Sequence, residues 1–155
     1  MRILFSCCLM LTSAFLYAES TLPNGCQPVA VQGESVLLKA KSSKLVFIHN
    51  LTNADLWITH PVTNPGASAG WTTRLQADNW SALALDKSPF QLNCIESRPG
   101  HEQQIPCEGA IAVCQWKGVT LPAGSNGTYW AGEDLSLQAL TAALGGRGFK
   151  LPLAK

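Results

Sequence analysis

The sequence predicts a mainly all-β fold: an antiparallel β-sandwich with one short C-terminal helix and two disulfides. Three observations predict it. Short β-prone runs recur between turn-forming clusters along most of the chain. The hydrophobic period changes from two to the helical one only near the end. An even set of cysteines, Cys26, Cys94, Cys107 and Cys114, follows an N-terminal segment built like an export signal. A small open barrel is the alternative architecture.

The chain of 155 residues carries 11 Lys+Arg against 10 Asp+Glu, and charged residues make up 14%. Ordinary globular chains carry about a quarter, so a disordered tail or a long solvated coiled coil is disfavoured. A net charge of +1 leaves no electrostatic footprint for nucleic acid or an acidic membrane surface. One domain is the default at this length.

Met1-Arg2 gives a positive start, Ile3 to Leu16 is almost wholly apolar, and Leu16-Tyr17-Ala18 ends on a small residue. This reads as a signal peptide, residues 1–18, cut after Ala18. The apolar run is short of the about 20 residues a membrane span needs, and no later stretch approaches that length. Cys7 and Cys8 sit too early to be lipidated and leave with the signal. The expected location is the periplasm or the medium, with no membrane span. Loss of Arg2 leaves the remaining charges balanced.

The remainder divides into a lead-in with the first strands (19–43), a sandwich domain with its helix (44–149) and a tail (150–155). In the lead-in, Val29–Val31 and Val36–Leu38 are short β-prone runs. Lys44–His49 and Leu56–His60 are stronger, and the short connection from Leu51 to Asp55 predicts that they pair as a hairpin. Leu45-Val46-Phe47-Ile48 is apolar on both faces, which places that strand in the middle of a sheet. After a Pro- and Gly-rich loop, Pro61 to Gly70, come the candidate strands Trp71–Leu75 and Trp80–Leu85. Phe90, Leu92 and Cys94 alternate with Gln91 and Asn93, the mark of a half-buried strand. Arg98-Pro99-Gly100-His101 is a turn from which Ile105–Cys107 returns. Ala110–Trp116 and Thr128–Ala131 complete the strands. Leu137, Leu140 and Leu144 then define an amphipathic helix, capped by Asp134 or Ser136 and stopped at Gly145-Gly146.

Four cysteines allow three connectivities. Centring the turn on Gly100 and His101 sets Cys94 opposite Cys107, which favours the pairs Cys94–Cys107 and Cys26–Cys114. A metal site is disfavoured because no two of these cysteines form a C-x-x-C pair.

Gly66-Ala67-Ser68-Ala69-Gly70 matches the nucleophile elbow G-x-S-x-G, with Asp86 and His101 following in the order of a hydrolase triad. That elbow needs a strand–turn–helix setting, whereas this run leads from a loop into a β-prone segment, so a small-residue loop is the favoured reading. His49 and His60 approach one another if their strands pair. Glu96, Glu102, Glu108, Glu133 and Asp134 include enough carboxylates for a glycosidase pair, although sequence does not set their separation. Five tryptophans are many for this length. Trp57 and Trp116 read as core or near-core residues. A candidate binding surface combines Arg98, His101 and Glu102 of the turn with Trp71 and Trp130. Sequons stand at Asn50, Asn79 and Asn126.

From Leu45 to Phe149 the chain resembles the enhanced-entry protein B (EnhB) family of intracellular bacterial pathogens. The resemblance rests on Ser68-Ala69-Gly70-Trp71, Trp80-Ser81-Ala82-Leu83, Cys94-Ile95-Glu96 and Pro99-Gly100. It continues through Pro106-Cys107, Val113-Cys114-Gln115-Trp116, Trp130-Ala131-Gly132-Glu133-Asp134 and Arg147-Gly148-Phe149. It implies an exported accessory factor that promotes bacterial entry into host cells, beside a repeat-containing partner and a cell-wall transpeptidase-like protein. It supplies no catalytic residues. The expectation is therefore a non-enzymatic protein without cofactor, acting through protein contacts in the cell envelope. The alternatives are an envelope-glycan or peptidoglycan-binding module using exposed Trp, and a small serine hydrolase at Ser68.

Overall fold

The computed structural model describes residues 22–61, 72–87, 89–125 and 127–152. The expected signal peptide, the Gly66–Gly70 run with Ser68, Trp71 and Asn126 lie outside the described residues.

The chain forms β1 (Cys26–Val29), β2 (Ser35–Leu38), β3 (Lys44–Asn50), β4 (Asp55–Thr59), β5 (Thr72–Leu75) and β6 (Trp80–Leu85). There follow β7 (Phe90–Arg98), β8 (His101–Ile105), β9 (Ile111–Trp116), β10 (Tyr129–Leu135) and the helix α1 (Leu137–Gly146). The first sheet has the order β1-β9-β3-β6-β10, and the second the order β2-β7-β4-β5 with β8 also on β7. All these pairings are antiparallel.

As its two apolar faces require, β3 lies in the middle of the first sheet, between β9 and β6. Val46 and Ile48 point into the core between the sheets, where they join Leu56, Ile58, Leu83 and Leu92. Leu45 and Phe47 point the other way, into a second core with Trp80, Trp116, Leu140 and Leu144. The adjacent β6 divides in the same manner: Leu83 and Leu85 face inward, and Trp80, Ala82 and Ala84 outward. The sandwich therefore gains a third layer, with α1 covering the outer face of the first sheet. Phe47 meets Trp80 and Trp116 edge-on at ring separations of 6.3 and 5.6 Å, a favourable aromatic arrangement.

The helix starts where Ser136 caps it, its hydroxyl accepting from Ala139 N–H at 3.2 Å. The expected stop at Gly145-Gly146 is displaced, since both glycines lie within the helix. Gly148, at φ +89°, takes the left-handed conformation instead. Gly148 N–H donates to Gly145 O and Phe149 N–H to Leu144 O, both at 3.0 Å. With Phe149 buried in the same core as Leu144, this is a Schellman stop with its hydrophobic contact.

Two pairing expectations are corrected. β3 and β4 do not form a hairpin, because they belong to opposite sheets. Both edges of β3 are taken by β6 and β9, and both edges of β4 by β5 and β7. The short connection is an arch between layers, closed by the Asn50 side chain. Asn50 is 1% exposed, and its Nδ2 donates to Ala54 O at 2.8 Å and to Leu75 O at 2.9 Å. His49 and His60 consequently lie on different sheets. His49 stacks on Trp80 and donates from Nε2 to Asp78, while His60 stacks on Phe90 and donates from Nδ1 to Gln91 O.

The second correction is a register. The β7–β8 turn centres on Pro99-Gly100, so Arg98 faces His101 and Cys94 faces Ile105, not Cys107. Pro99 fits the first central position of such a turn, and Gly100 takes φ +79°. Cys107 lies just past the strand end, where it still reaches Cys94.

The disulfides are Cys26–Cys114 and Cys94–Cys107, with Cα separations of 5.5 and 5.3 Å. The first ties β1 to β9 in the outer core, and the second closes the β7–β8 segment in the inner core. Loops of 88 and 13 residues are closed. On chain-entropy grounds the longer contributes about 4.5 kcal/mol and the shorter about 3 kcal/mol. Replacing Cys26 and Cys114 by Ser should therefore lower unfolding free energy more than replacing Cys94 and Cys107. Chemical unfolding of the two double variants checks this ranking, and full reduction should exceed either.

Candidate binding surface

The expected turn residues gather at the free end of the β7–β8 hairpin. Arg98, His101 and Glu102 are all exposed there. Cross-strand register explains what surrounds them. On the outer face of the second sheet, Asp55, Ser97 and Glu102 form one row, and Arg74, Trp57, Ile95 and Gln104 the next. An open cleft of about 640 Å³ runs between Asp55 and Arg74 on one side and Arg98, His101 and Glu102 on the other. A second hollow of about 330 Å³ is lined by Trp57, Thr59, Thr72, Ile95 and Glu102. Glu102 borders both.

Both arginines of the cleft are paired. Arg74 binds Asp55, its Nε donating at 3.1 Å, and Arg98 binds Glu96. The Asp55 hydrogen bond and charge, helped by the charge of Asp134, hold Arg74 above its ordinary range. Such exposed pairs contribute little stability, but they orient both guanidinium groups at the cleft rim.

Asp134 fixes the neighbouring corner. It has φ +53°, and its carboxylate accepts from Gln76 N–H and Gln76 Nε2 at 2.7 Å and from Asn79 Nδ2 at 2.9 Å. Burial works to raise its pKa, yet hydrogen bonds from Asn79 and Gln76 and the charge of Arg74 outweigh burial, and the net shift is downward. The end of β10 is thereby tied to the β5–β6 turn.

The other predicted residues are placed elsewhere. Trp130 stands on β10 of the first sheet, opposite Leu83, and packs against the core between the sheets. It is not brought to the hairpin surface. Trp80 and Trp116 are core residues. Trp57, expected in or near the core, is half-buried and joins the surface. The signal was present in its strand: Leu56 and Ile58 are buried, so the residue between them points outward.

Candidate catalytic groups are dispersed. Asp86 N–H and Oδ1 are both held by the Thr128 hydroxyl beside β10, whereas His101 lies at the hairpin end on the other sheet. Among the carboxylates, Glu96 pairs with Arg98, Glu108 accepts from Gly33 N–H at 2.8 Å, and Asp134 holds its corner. Among the described residues, no group of three or more His, Cys, Asp and Glu is placed to hold a metal ion. No helix among them is long and apolar enough to cross a membrane.

The depressed Asp134 pKa sets a pH dependence. Its contribution to stability is complete above the ordinary carboxylate value of 3.8 and is lost as pH falls through the lower folded-state value. Asp134→Asn should be less stable than wild type at neutral pH and lose less on further acidification. Melting temperatures measured from about pH 6 down to about pH 2 check this. In comparisons with known proteins, no family model, no curated protein and no solved structure matches this chain.

Proposed function

We propose that this chain is an exported, non-enzymatic accessory protein that works by binding a protein partner in the cell envelope and thereby promotes bacterial entry into host cells. The observation that carries the binding role is the exposed Arg98–His101–Glu102 hairpin end, set on a strand pair whose base is closed by Cys94–Cys107. A cross-linked base lets charged groups be presented without loss of register, which lowers the ordering cost of association. Export is supported by the N-terminal signal pattern and by disulfides, which are characteristic of oxidising compartments. The link to host cells rests on the enhanced-entry resemblance.

The test is genetic. Deleting the gene should lower the number of bacteria recovered from host cells, and the wild-type gene should restore it. A variant combining R98A, H101A and E102A should be exported at normal levels with both disulfides, yet fail to restore invasion. Full restoration by that variant would remove the hairpin from the reading, and unaffected invasion in the deletion strain would remove the function.

A second reading, an envelope-glycan module, is favoured by one specific observation: Trp57, Thr59, Thr72 and Glu102 line a common hollow on the outer sheet face. An aromatic side chain with hydroxyl and carboxylate neighbours suits a sugar ring, which has an apolar face and a polar rim. Titration with soluble peptidoglycan fragments should quench indole fluorescence in the wild type and leave Trp57→Phe and Glu102→Gln with weaker binding. No quenching at millimolar fragment would reject this reading.

A further inference from the structure

One edge of β7 is covered end to end by two strands that are far apart in sequence. β8 pairs with Cys94–Arg98 and β2 with Phe90–Asn93, so no residue of β7 is skipped between them. Both are antiparallel to β7 and therefore run in the same direction, with Ile105 beside Cys94 and Ser35 beside Asn93. The joint is pinned where Gly33 N–H donates to Glu108 Oε2 at 2.8 Å and Glu108 N–H to Gly33 O at 3.1 Å. Together β8 and β2 make one long, preformed edge.

Unpaired edges attract foreign strands, and proteins block those they do not use. The other edges show such blocks. β1 carries Pro28, the register of β10 is broken on both sides of Gly132, and β5 is only four residues long. The joined edge has no proline or bulge within its strands. Its outward backbone groups follow from the two-residue turn at Pro99-Gly100. That turn makes Arg98 and His101 a hydrogen-bonded pair, and alternation then turns Glu102, Gln104, Ser35 and Leu37 away from β7. Among the described residues, none of these four has a backbone hydrogen bond outside the ladders.

Resting on the partner-binding reading above, we propose that this edge accepts an extended segment of a partner protein, which adds to the second sheet as a further strand. The chemistry of the segment is set by what lies along it. At the β2 end, Pro28, Val29, Leu38, Val46 and Leu85 line a crevice of about 240 Å³ between the two sheets, with room for an apolar side chain. Leu37 is 52% exposed beside it. Lys39 borders the crevice, and Glu102 lies near the opposite end. The matching segment is apolar where it passes Leu37 and the crevice, acidic beyond that next to Lys39, and basic at the other end next to Glu102. A second copy of this chain matches poorly along the full edge, because two-fold antiparallel pairing centred on it sets Leu38 against His101 and Leu37 against Glu102.

The test uses the oxidised protein and a synthetic peptide of about nine residues, long enough for the edge at about 3.3 Å per residue. The probe alternates Val and Thr, with Glu at one end and Lys at the other. Amide exchange followed by NMR should slow at Glu102, Gln104, Ser35 and Leu37 on adding peptide. The intervening Gln103, Ile105, Val36 and Leu38, already in the β7 ladder, should stay unchanged. Leu37→Lys, a surface change that leaves the core intact, and Gln104→Pro should each weaken binding by about tenfold or more, the order of one lost hydrogen bond with its packing. Protection elsewhere, absence of binding, or wild-type affinity in both variants would overturn the proposal. So would a concentration-dependent dimer that both variants dissolve, which would assign the edge to a second copy. This result is separable from the function: peptide binding with unaffected invasion would remove only the host-cell role, and impaired invasion without edge protection would remove only this site.

Discussion

The rest of the structure depends on the two-sided burial of β3 and β6. A strand that is buried on alternate residues needs one covering layer, but these two are buried on both faces, over Leu45–Ile48 and Trp80–Leu85, and need two. The second sheet supplies one cover. The other is α1 with the chain segments beside it, which explains why a single ten-residue helix is capped with care at both ends. A helix this short is marginal in isolation. Its stability comes from Leu140 and Leu144 sealing the aromatic cluster of Phe47, Trp80 and Trp116.

The first sheet is therefore a wall shared by two cores, and each core contains one disulfide. This division has a functional side. The hairpin that carries the candidate surface belongs to the second sheet, whose outer face is not covered by a helix among the described residues. Its hydrogen-bonded ladder to β4 and the Cys94–Cys107 link fix it to the sandwich, while its free end projects Arg98 and His101 into solvent. Polar ties at the edges, from Asn50, Asp134 and Glu108, replace apolar packing where strands cross between layers.

Much of this was legible in the residues. The double-sided β3, the alternating β7, the helix and both cysteine pairs follow from patterns local to one segment or from simple pairing. The errors share a cause, which is that the deciding contact lies far away in sequence. A short link between two apolar strands suits a hairpin or an arch equally well. Here the choice is made by Asn50 reaching Leu75 and by β6 and β9 occupying both edges of β3. The expected cysteine pairing holds although the turn sits one residue earlier than its residues suggest, because Cys107 beyond the strand still reaches Cys94. At the surface, Arg98, His101 and Glu102 were readable from the turn. Trp57 is marked for the outer face only by the alternation of its own strand, and nothing local to Trp130 shows that it leans on the sandwich core.

The asparagines of two sequons turn out to be structural. In Asn50-Leu51-Thr52 the Asn50 Oδ1 accepts from Thr52 N–H and Thr52 Oγ1, and in Asn79-Trp80-Ser81 the Asn79 Nδ2 is held by Asp134. Oligosaccharyl transfer in a eukaryotic secretory pathway acts on that same amide nitrogen, and it acts before the chain has folded. A sugar attached to Asn50 would stand where the arch must close against Leu75, so heterologous expression through such a pathway would trap the chain before its layers meet. A bacterial host that oxidises cysteines but leaves asparagine untouched avoids that obstacle.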